Sequence, residues 1–239
     1  MEGHWAVDFT SAQFWIALGQ IIWINALLSG DNAVVIALAC RGLPDQQRKL
    51  GMFFGAGAAI VLRIFFTIII VYLLGIPYLK IIGAAALLWI ALDLVLPKDH
   101  GDDSSVKSSE TLLKAVGTIA LADVVMSLDN VIAIAGVANG NWTLIILGLV
   151  ISIPMIIAGS AIILALIDRF PVIVWAGAAL LGFVAGEMLI SDVAIASRFG
   201  EEFQHAWELP LGILFAVGVV AVGYAIVRLR KQRAVESVH

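Results

Sequence analysis

The sequence has few of the residues that build disulfide-rich, zinc-binding or nucleotide-dependent proteins. It contains one cysteine, Cys40, so neither a disulfide framework nor a cysteine cluster for zinc can form within one chain. All four histidines fall outside the long apolar segments, which excludes a histidine proton relay through them. No glycine-rich phosphate loop is present, so direct use of ATP is not expected. We expect no enzymatic activity and no bound cofactor.

Charged residues are also scarce, at 13% of the 239 residues, whereas hydrophobic residues make up 62%. This composition excludes an ordinary soluble domain. Apolar runs of about 20 residues, enough to cross ~30 Å of hydrocarbon, fill nearly the whole chain. The sequence therefore predicts an all-α, polytopic membrane protein. We expect one membrane domain over residues 1–239, in contact with lipid and without a nucleic-acid partner.

Charged and turn-forming stretches divide the chain into seven apolar segments. They lie at about 12–40, 50–74, 78–96, 112–137, 142–167, 172–190 and 209–228, with a charged linker at about 97–111. If every segment crosses the membrane, 11 of the 14 Lys and Arg residues lie on one side and only Lys80 and Arg198 on the other, with Arg63 inside the membrane. By the positive-inside rule, the N-terminus lies outside and the C-terminus in the cytoplasm.

A polar motif interrupts segment one and returns in segment four. Ser29–Asn32 reads Ser-Gly-Asp-Asn, and Ser127–Asn130, 98 residues later, reads Ser-Leu-Asp-Asn. Asn25 and Asp123 stand at the same distance before the two motifs. A charged side chain at the bilayer centre costs about 3 kcal/mol on insertion scales. A cost met twice in one pattern indicates function rather than chance.

The repeat extends into segments three and six. Pro77–Leu87 aligns with Pro171–Leu181 at an offset of 94 residues, and an acid, Asp93 or Glu187, stands ten residues past the glycine of each stretch. Three crossings per repeat make the two halves run in opposite directions, an arrangement typical of secondary transporters. The sequence thus predicts two inverted three-helix repeats, at about 12–96 and 112–190, plus a final helix at about 209–228.

The repeated polar groups form a hard, oxygen-rich ligand set, which suits Mn²⁺, Mg²⁺ or Ca²⁺ better than copper or zinc. In a helix, Asn25, Ser29 and Asn32 share one face, and Gly30 is a plausible break point that would expose backbone carbonyls. The candidate metal ligands are Asp31, Asn32, Asp129, Asn130, Asp123, Asn25, Asp93 and Glu187.

Other interpretations of these residues stay open. Polar groups of this kind also hydrogen-bond helices together, and Asp93 and Glu187 lie near membrane ends, where headgroup water could reach them. Arg63 is interpreted as an ion-pair partner for one of the acids rather than as a substrate ligand. Met126, one turn before Asp129, is interpreted as a packing residue.

The paired motifs, in a chain of this size with seven apolar segments, resemble the TerC (tellurium-resistance protein C) family of integral membrane proteins. The resemblance spans segments one to six, and its most specific positions are Asp31, Asn32, Asp129 and Asn130. It implies a role in bacterial metal-ion homeostasis, chiefly manganese export, and therefore a location in the bacterial cytoplasmic (inner) membrane.

The resulting expectation is an exporter of a divalent cation that works by alternating access of the two repeats. Mn²⁺ is the first candidate substrate, ahead of Ca²⁺ and Mg²⁺, and a homo-oligomer is compatible with the sequence. Protons are the expected counter-ion because crowded, buried carboxylates share protons. The alternatives are a non-transporting membrane adaptor subunit of a metal or tellurite stress-resistance complex, and an exporter of an amino acid or other organic solute.

Overall fold

The computed structural model describes residues 12–73, 76–96, 105–138 and 142–236, and the regular structure in these ranges is helical throughout. Within them, side chains are described except at 26–28, 68, 70–73, 105–110, 128–138, 142, 231 and 233–236. The helices are α1 (Ala12–Leu28), α2 (Gly30–Cys40), α3 (Asp45–Leu73), α4 (Leu79–Val95), α5 (Ser105–Ala138), α6 (Trp142–Arg169), α7 (Val172–Ile190), α8 (Val193–Phe199) and α9 (Glu201–Glu236).

The boundary between α2 and α3 falls in one of the turn-forming stretches predicted between the apolar segments. Helices α5 and α9 instead begin before their apolar segments, at Ser105 and Glu201 rather than at about 112 and 209. The carbonyl of Pro44 accepts hydrogen bonds from the backbone N–H groups of Gln47 and Arg48, at 2.8 and 3.0 Å, which starts α3. The Arg48 side chain then donates to the carbonyls of Arg41 and Leu43, both at 3.1 Å, and so closes the loop before α3. Carbonyl groups that no helix satisfies thus find a partner in a nearby cation.

Within the described residues, four helices each contain a stretch long and apolar enough to cross a membrane, namely Asp45–Thr67, Thr143–Arg169, Val172–Ile190 and Glu201–Arg230. The bent pair α1 and α2 supplies a fifth when counted as one span. Helix α4 has 17 residues, which at ~1.5 Å per residue falls short of ~30 Å of hydrocarbon. The described residues therefore establish a multi-pass membrane protein with four or five candidate spans. The seven crossings and the complete inverted repeat stay predictions.

The chain divides into two compact units. Unit 1 comprises Met1–Leu73 and Ser108–Ala165, and unit 2 comprises Leu74–Lys107 and Leu166–His239. Unit 1 therefore contains α1, α2, α3 and most of α5 and α6, whereas unit 2 contains α4, α7, α8 and α9. Each unit takes helices from both sequence repeats, because the third segment of each repeat belongs to unit 2.

In unit 2, helices α4 and α7 bury the same positions of the repeat. The buried pairs, each 94 residues apart, are Ala84 and Ala178, Leu87 and Leu181, Ala91 and Ala185, and Leu94 and Met188. The backbone N–H of Tyr78, just before α4, donates to the carboxylate of Asp192, just after α7. The two helices are therefore antiparallel, as the inverted repeat predicts for this pair.

Helix α9 approaches the backbone of α7 closely at two glycines. A Cβ atom on Gly182 would lie 2.7 Å from the carbonyl oxygen of Phe215, and one on Gly186 would lie 2.6 Å from that of Leu211. In lipid, helices associate through this kind of close packing, because water is not there to drive them together. The Gly-x-x-x-Gly spacing of Gly182 and Gly186 therefore holds the last helix against α7.

Candidate functional site

The first polar motif lies at a break between two helices. Helix α1 ends at Leu28, α2 begins at Gly30, and the two axes are bent by 49° at this point. The predicted break beside Gly30 is thereby confirmed. In the second motif, by contrast, the backbone of α5 stays helical. The difference follows the sequence, because position 128 is leucine where the first motif has Gly30, and leucine is the better helix former.

The start of α2 carries Asp31 in its first turn. One carboxylate oxygen of Asp31 accepts the backbone N–H of Asn32 at 2.7 Å. The Asp31 side chain is half-buried, whereas the Asn32 side chain is only 4% exposed. A carboxylate is stabilised at a helix N-terminus, where free N–H groups carry partial positive charge. The start of α2 therefore places the Asp31 carboxylate beside the free N–H groups of the first helical turn.

Arg63, in the middle of α3, joins the two repeats inside unit 1. Its Nε donates to Oγ of Ser127 and its Nη1 to Oδ1 of Asn25, both at 2.9 Å, while its Nη2 forms an ion pair with Oδ1 of Asp123. Ser29 also donates to Oδ1 of Asn25 at 3.2 Å, and Ser127 to Oδ2 of Asp123 at 3.1 Å. Arg63 is 1% exposed. The predicted pairing of Arg63 with an acid is confirmed, and the acid is Asp123.

A small cavity, with free volume for about one water molecule, lies beside this network. Its polar lining is the amide of Asn32 and the carboxylate of Asp123, and its remaining wall is made of apolar side chains from α2, α3, α5 and α6. Neither polar atom of the Asn32 amide has a hydrogen-bond partner in the described structure, and the Nδ2 atom of Asn25 has none either. The cavity therefore offers unused hydrogen-bonding and ligating capacity.

The structure brings some of the predicted site residues together. Asn25 and Asp123 meet at Arg63, Asn32 shares a cavity with Asp123, and Asp31 is adjacent to Asn32 in the chain. The side chains of Asp129 and Asn130 lie outside the described residues. Among the side chains that are described, no three His, Cys, Asp or Glu residues cluster closely enough to hold a metal ion.

The other two predicted acids belong to unit 2. Asp93 lies near the C-terminal end of α4 and Glu187 near that of α7, and both are half-buried. Each takes part in a polar or electrostatic interaction. Their equal spacing from Gly83 and Gly177 is thus matched by equal burial, although their role in the site is still a prediction.

One buried acid, Asp192, was not recognised in the sequence. Its side chain is fully buried and accepts backbone N–H groups from two helix starts. Ala194 of α8 donates at 2.8 Å, while Tyr78 and Lys80 at the start of α4 donate at 2.9 and 3.0 Å. An aspartate directly before a helix is a usual N-cap signal and could have been found. The second helix that Asp192 caps, α4, starts more than 100 residues away, so this contact could not have been found from the sequence.

The comparisons with known proteins bear on the whole chain. A family model described as the Integral membrane protein TerC family matches residues 10–235. The uncharacterized membrane protein YjbE of Bacillus subtilis (strain 168) is 44% identical over 177 residues, covering 74% of this chain and 80% of that protein. The uncharacterized membrane protein YceF of the same organism is 24% identical over 243 residues, covering 98% and 90%.

A more distant relative comes from another bacterium. The UPF0053 inner membrane protein YgdQ of Escherichia coli (strain K12) is 24% identical over 178 residues, covering 68% of this chain and 75% of that protein. No solved structure matches the chain.

Proposed function

Because the chain belongs to the Integral membrane protein TerC family, we propose that it transports a divalent metal cation out of the cytoplasm, with Mn²⁺ as the first candidate. The observation that carries this proposal is the Asn32 side chain, which is buried, without a partner, and lines a cavity with Asp123. A buried polar group left unsatisfied costs about 1–3 kcal/mol. Such a cost is reasonable where a bound ligand supplies the missing contact.

The donor atoms near the cavity favour a hard cation. The Asn32 amide, the Asp123 carboxylate and the adjacent Asp31 carboxylate all offer oxygen, the donor that Mn²⁺, Mg²⁺ and Ca²⁺ accept. The positive charge of Arg63 offsets the negative charge of Asp123. The attraction for a cation therefore comes mainly from Asp31 and from Asp129, its counterpart in the second repeat. These two aspartates are the main proposed ligands.

Selectivity for Mn²⁺ over Mg²⁺ needs an explanation, because oxygen ligands alone do not strongly exclude Mg²⁺. Mg²⁺ gives up its water reluctantly and requires near-octahedral geometry. A cavity with room for about one water molecule forces an entering ion to lose most of its hydration. We propose that this dehydration discriminates against Mg²⁺ more than against Mn²⁺.

The transport cycle is proposed to alternate the access of this site between the two sides of the bacterial cytoplasmic membrane. The location is supported by the relative YgdQ, which is named as an inner membrane protein. Protons are the proposed counter-ion, because Asp31 is a half-buried acid in an apolar helix and can bind either a proton or a metal. Asp129 is its counterpart in the sequence repeat.

Uptake of Mn²⁺ into proteoliposomes tests the proposal. The purified chain should catalyse uptake, and Asp31→Asn and Asn32→Ala should each lose it while the protein stays folded. Ser152→Ala is the matched control, because Ser152 is also buried in unit 1 but donates only to the carbonyl of Gly148 in its own helix.

Two outcomes would contradict the proposal. If the wild-type protein moves no divalent cation, the non-transporting adaptor becomes the better interpretation. If amino acids but not metal ions compete with the transported species, the chain is an exporter of organic solutes.

A further inference from the structure

Arg63 contacts matching positions of both sequence repeats at once. Asn25 and Asp123 are counterparts at an offset of 98 residues, and Arg63 donates to both. Arg63 itself has no counterpart, because positions 157–161, which lie 94–98 residues further on, hold no basic residue. A single cation therefore serves two polar motifs.

The charge of this cation is permanent. A guanidinium group does not lose its proton in a protein, so Arg63 cannot become neutral when buried, as a lysine or histidine can. With Arg63 buried at 1% exposure, the empty protein needs an ionised partner for it, and that partner is Asp123. The pair is electrically balanced as long as no other cation enters.

A metal ion entering the cavity disturbs this balance. Asp123, whose carboxylate pairs with Arg63, is also one of the two polar residues that line the cavity. A divalent cation there is attracted by Asp123 and repelled by Arg63, in a region where charges are weakly screened. The guanidinium and the metal therefore compete for the same oxygen atoms.

We propose that Arg63 is an internal cation of the transport cycle, which holds Asp123 and Asn25 when the site is empty and releases them when the metal binds. This inference rests on the proposed transport function. It adds an explanation of how the protein, once empty, changes back to the conformation that binds the next ion. Without Arg63, the carboxylate of Asp123 would have to change sides as an unpaired charge, which is costly in an apolar environment.

The test separates net transport from exchange. Net uptake of radioactive Mn²⁺ into empty proteoliposomes requires the empty protein to return, whereas exchange with vesicles preloaded with unlabelled Mn²⁺ does not. Arg63→Gln should lose net uptake and keep exchange, and its affinity for Mn²⁺ should rise by about tenfold, because a competing cation has been removed. Arg63→Lys can still pair a cation with Asp123 and should retain more net uptake than Arg63→Gln. Ser152→Ala should behave as wild type in both assays.

Several results would overturn the inference. An Arg63→Gln protein that is folded, as judged by gel filtration and tryptophan fluorescence, but keeps net uptake would show that Arg63 is not an internal cation. A folded Arg63→Gln protein that loses uptake and exchange together would show the same. If Arg63→Gln does not fold, the double variant Arg63→Gln/Asp123→Asn removes both charges and should regain net uptake with weaker affinity. Loss of uptake in a folded double variant also contradicts the inference. Wild-type vesicles with neither uptake nor exchange would instead refute the transport function itself.

Discussion

Arg63 and Asp123, 60 residues apart in the chain, form an ion pair within the helical bundle of unit 1, where almost no part of either side chain is exposed. Removing one member of a buried pair leaves the other charge without compensation. Asp123→Asn should therefore destabilise the protein by about 3–5 kcal/mol. Thermal unfolding in detergent, followed through the fluorescence of the seven tryptophans, measures the effect.

The control for this prediction is the double variant Arg63→Gln/Asp123→Asn. Because it removes both charges, it should recover most of the stability lost in Asp123→Asn. A loss in the double variant equal to the sum of the losses in Asp123→Asn and Arg63→Gln would mean that the two side chains do not stabilise each other.

Asn32→Leu should separate stability from transport. Leucine has the same branching at Cγ as asparagine but no polar atoms, and the Asn32 amide has no partner to lose. Replacing an unsatisfied polar group with an apolar one of similar shape should raise stability by about 1 kcal/mol or more, while Mn²⁺ uptake falls. A destabilised variant would show that the amide makes a structural hydrogen bond.

Asp192→Ala should destabilise unit 2 by about 2–4 kcal/mol, because the carboxylate caps the starts of both α4 and α8. Asp192→Asn should lose less, since its side chain keeps one acceptor oxygen. Glu201→Gln, an exposed position in the first turn of α9, is the matched control and should leave the unfolding temperature unchanged. Equal unfolding temperatures for Asp192→Ala and wild type would contradict the double cap.

Gly186→Ala should weaken the packing of α9 on α7. The added Cβ would lie 2.6–2.9 Å from backbone atoms of Leu211 and Gly212, which cannot move aside as a flexible side chain can. Overpacking of this kind costs about 1–3 kcal/mol. At Gly218 nothing lies within 4 Å of the added Cβ, so Gly218→Ala should instead gain up to about 1 kcal/mol of helix propensity. In the same unfolding assay, Gly186→Ala should lower the unfolding temperature and Gly218→Ala should raise it.

Labelling of single cysteines tests the predicted topology. In a Cys40→Ala background, cysteines at the exposed positions Gln46 and Gln232 should react with an impermeant maleimide only from the cytoplasm. A cysteine at Glu202 should react only from outside. The linker at about 97–111 falls largely outside the described side chains, so these positions are better suited to the test. If cysteines at positions 46 and 202 both react from the same side, the predicted odd number of crossings between them is wrong.

Features set by local chemistry could be predicted from the sequence. Long apolar runs form helices because the backbone must satisfy its own hydrogen bonds in lipid. Gly30 beside Ser29 breaks the first span because glycine has low helix propensity. For Arg63, the sequence predicts that the partner is an acid, because a buried positive charge needs a negative one, but it does not identify which acid.

Features that depend on distant partners could not be predicted. The double cap at Asp192 needs Tyr78 and Lys80 to meet a residue more than 100 positions away. The division into two units also depends on which faces of helices pack together, and helices that are apolar on all sides carry no periodic signal for this choice. The sequence assigns acids from segments one, three, four and six to one candidate site; Asp31 and Asp123 belong to unit 1, and Asp93 and Glu187 belong to unit 2.

Arg63 contacts both sequence repeats but has no counterpart in the second one, which makes the two halves of the chain unequal. An ancestor assembled from two identical copies of one repeat would carry two arginines near the motifs or none. With two, a second buried guanidinium would need a second acid; with none, the carboxylate at position 123 would lack its ionic partner. The chain has one arginine and one acid here: Arg63 pairs with Asp123, and the counterpart of Asp123 in the first repeat is the neutral Asn25. The positive and negative charges are therefore equal in number. The two halves are therefore not interchangeable, because only the second carries the acid that balances Arg63.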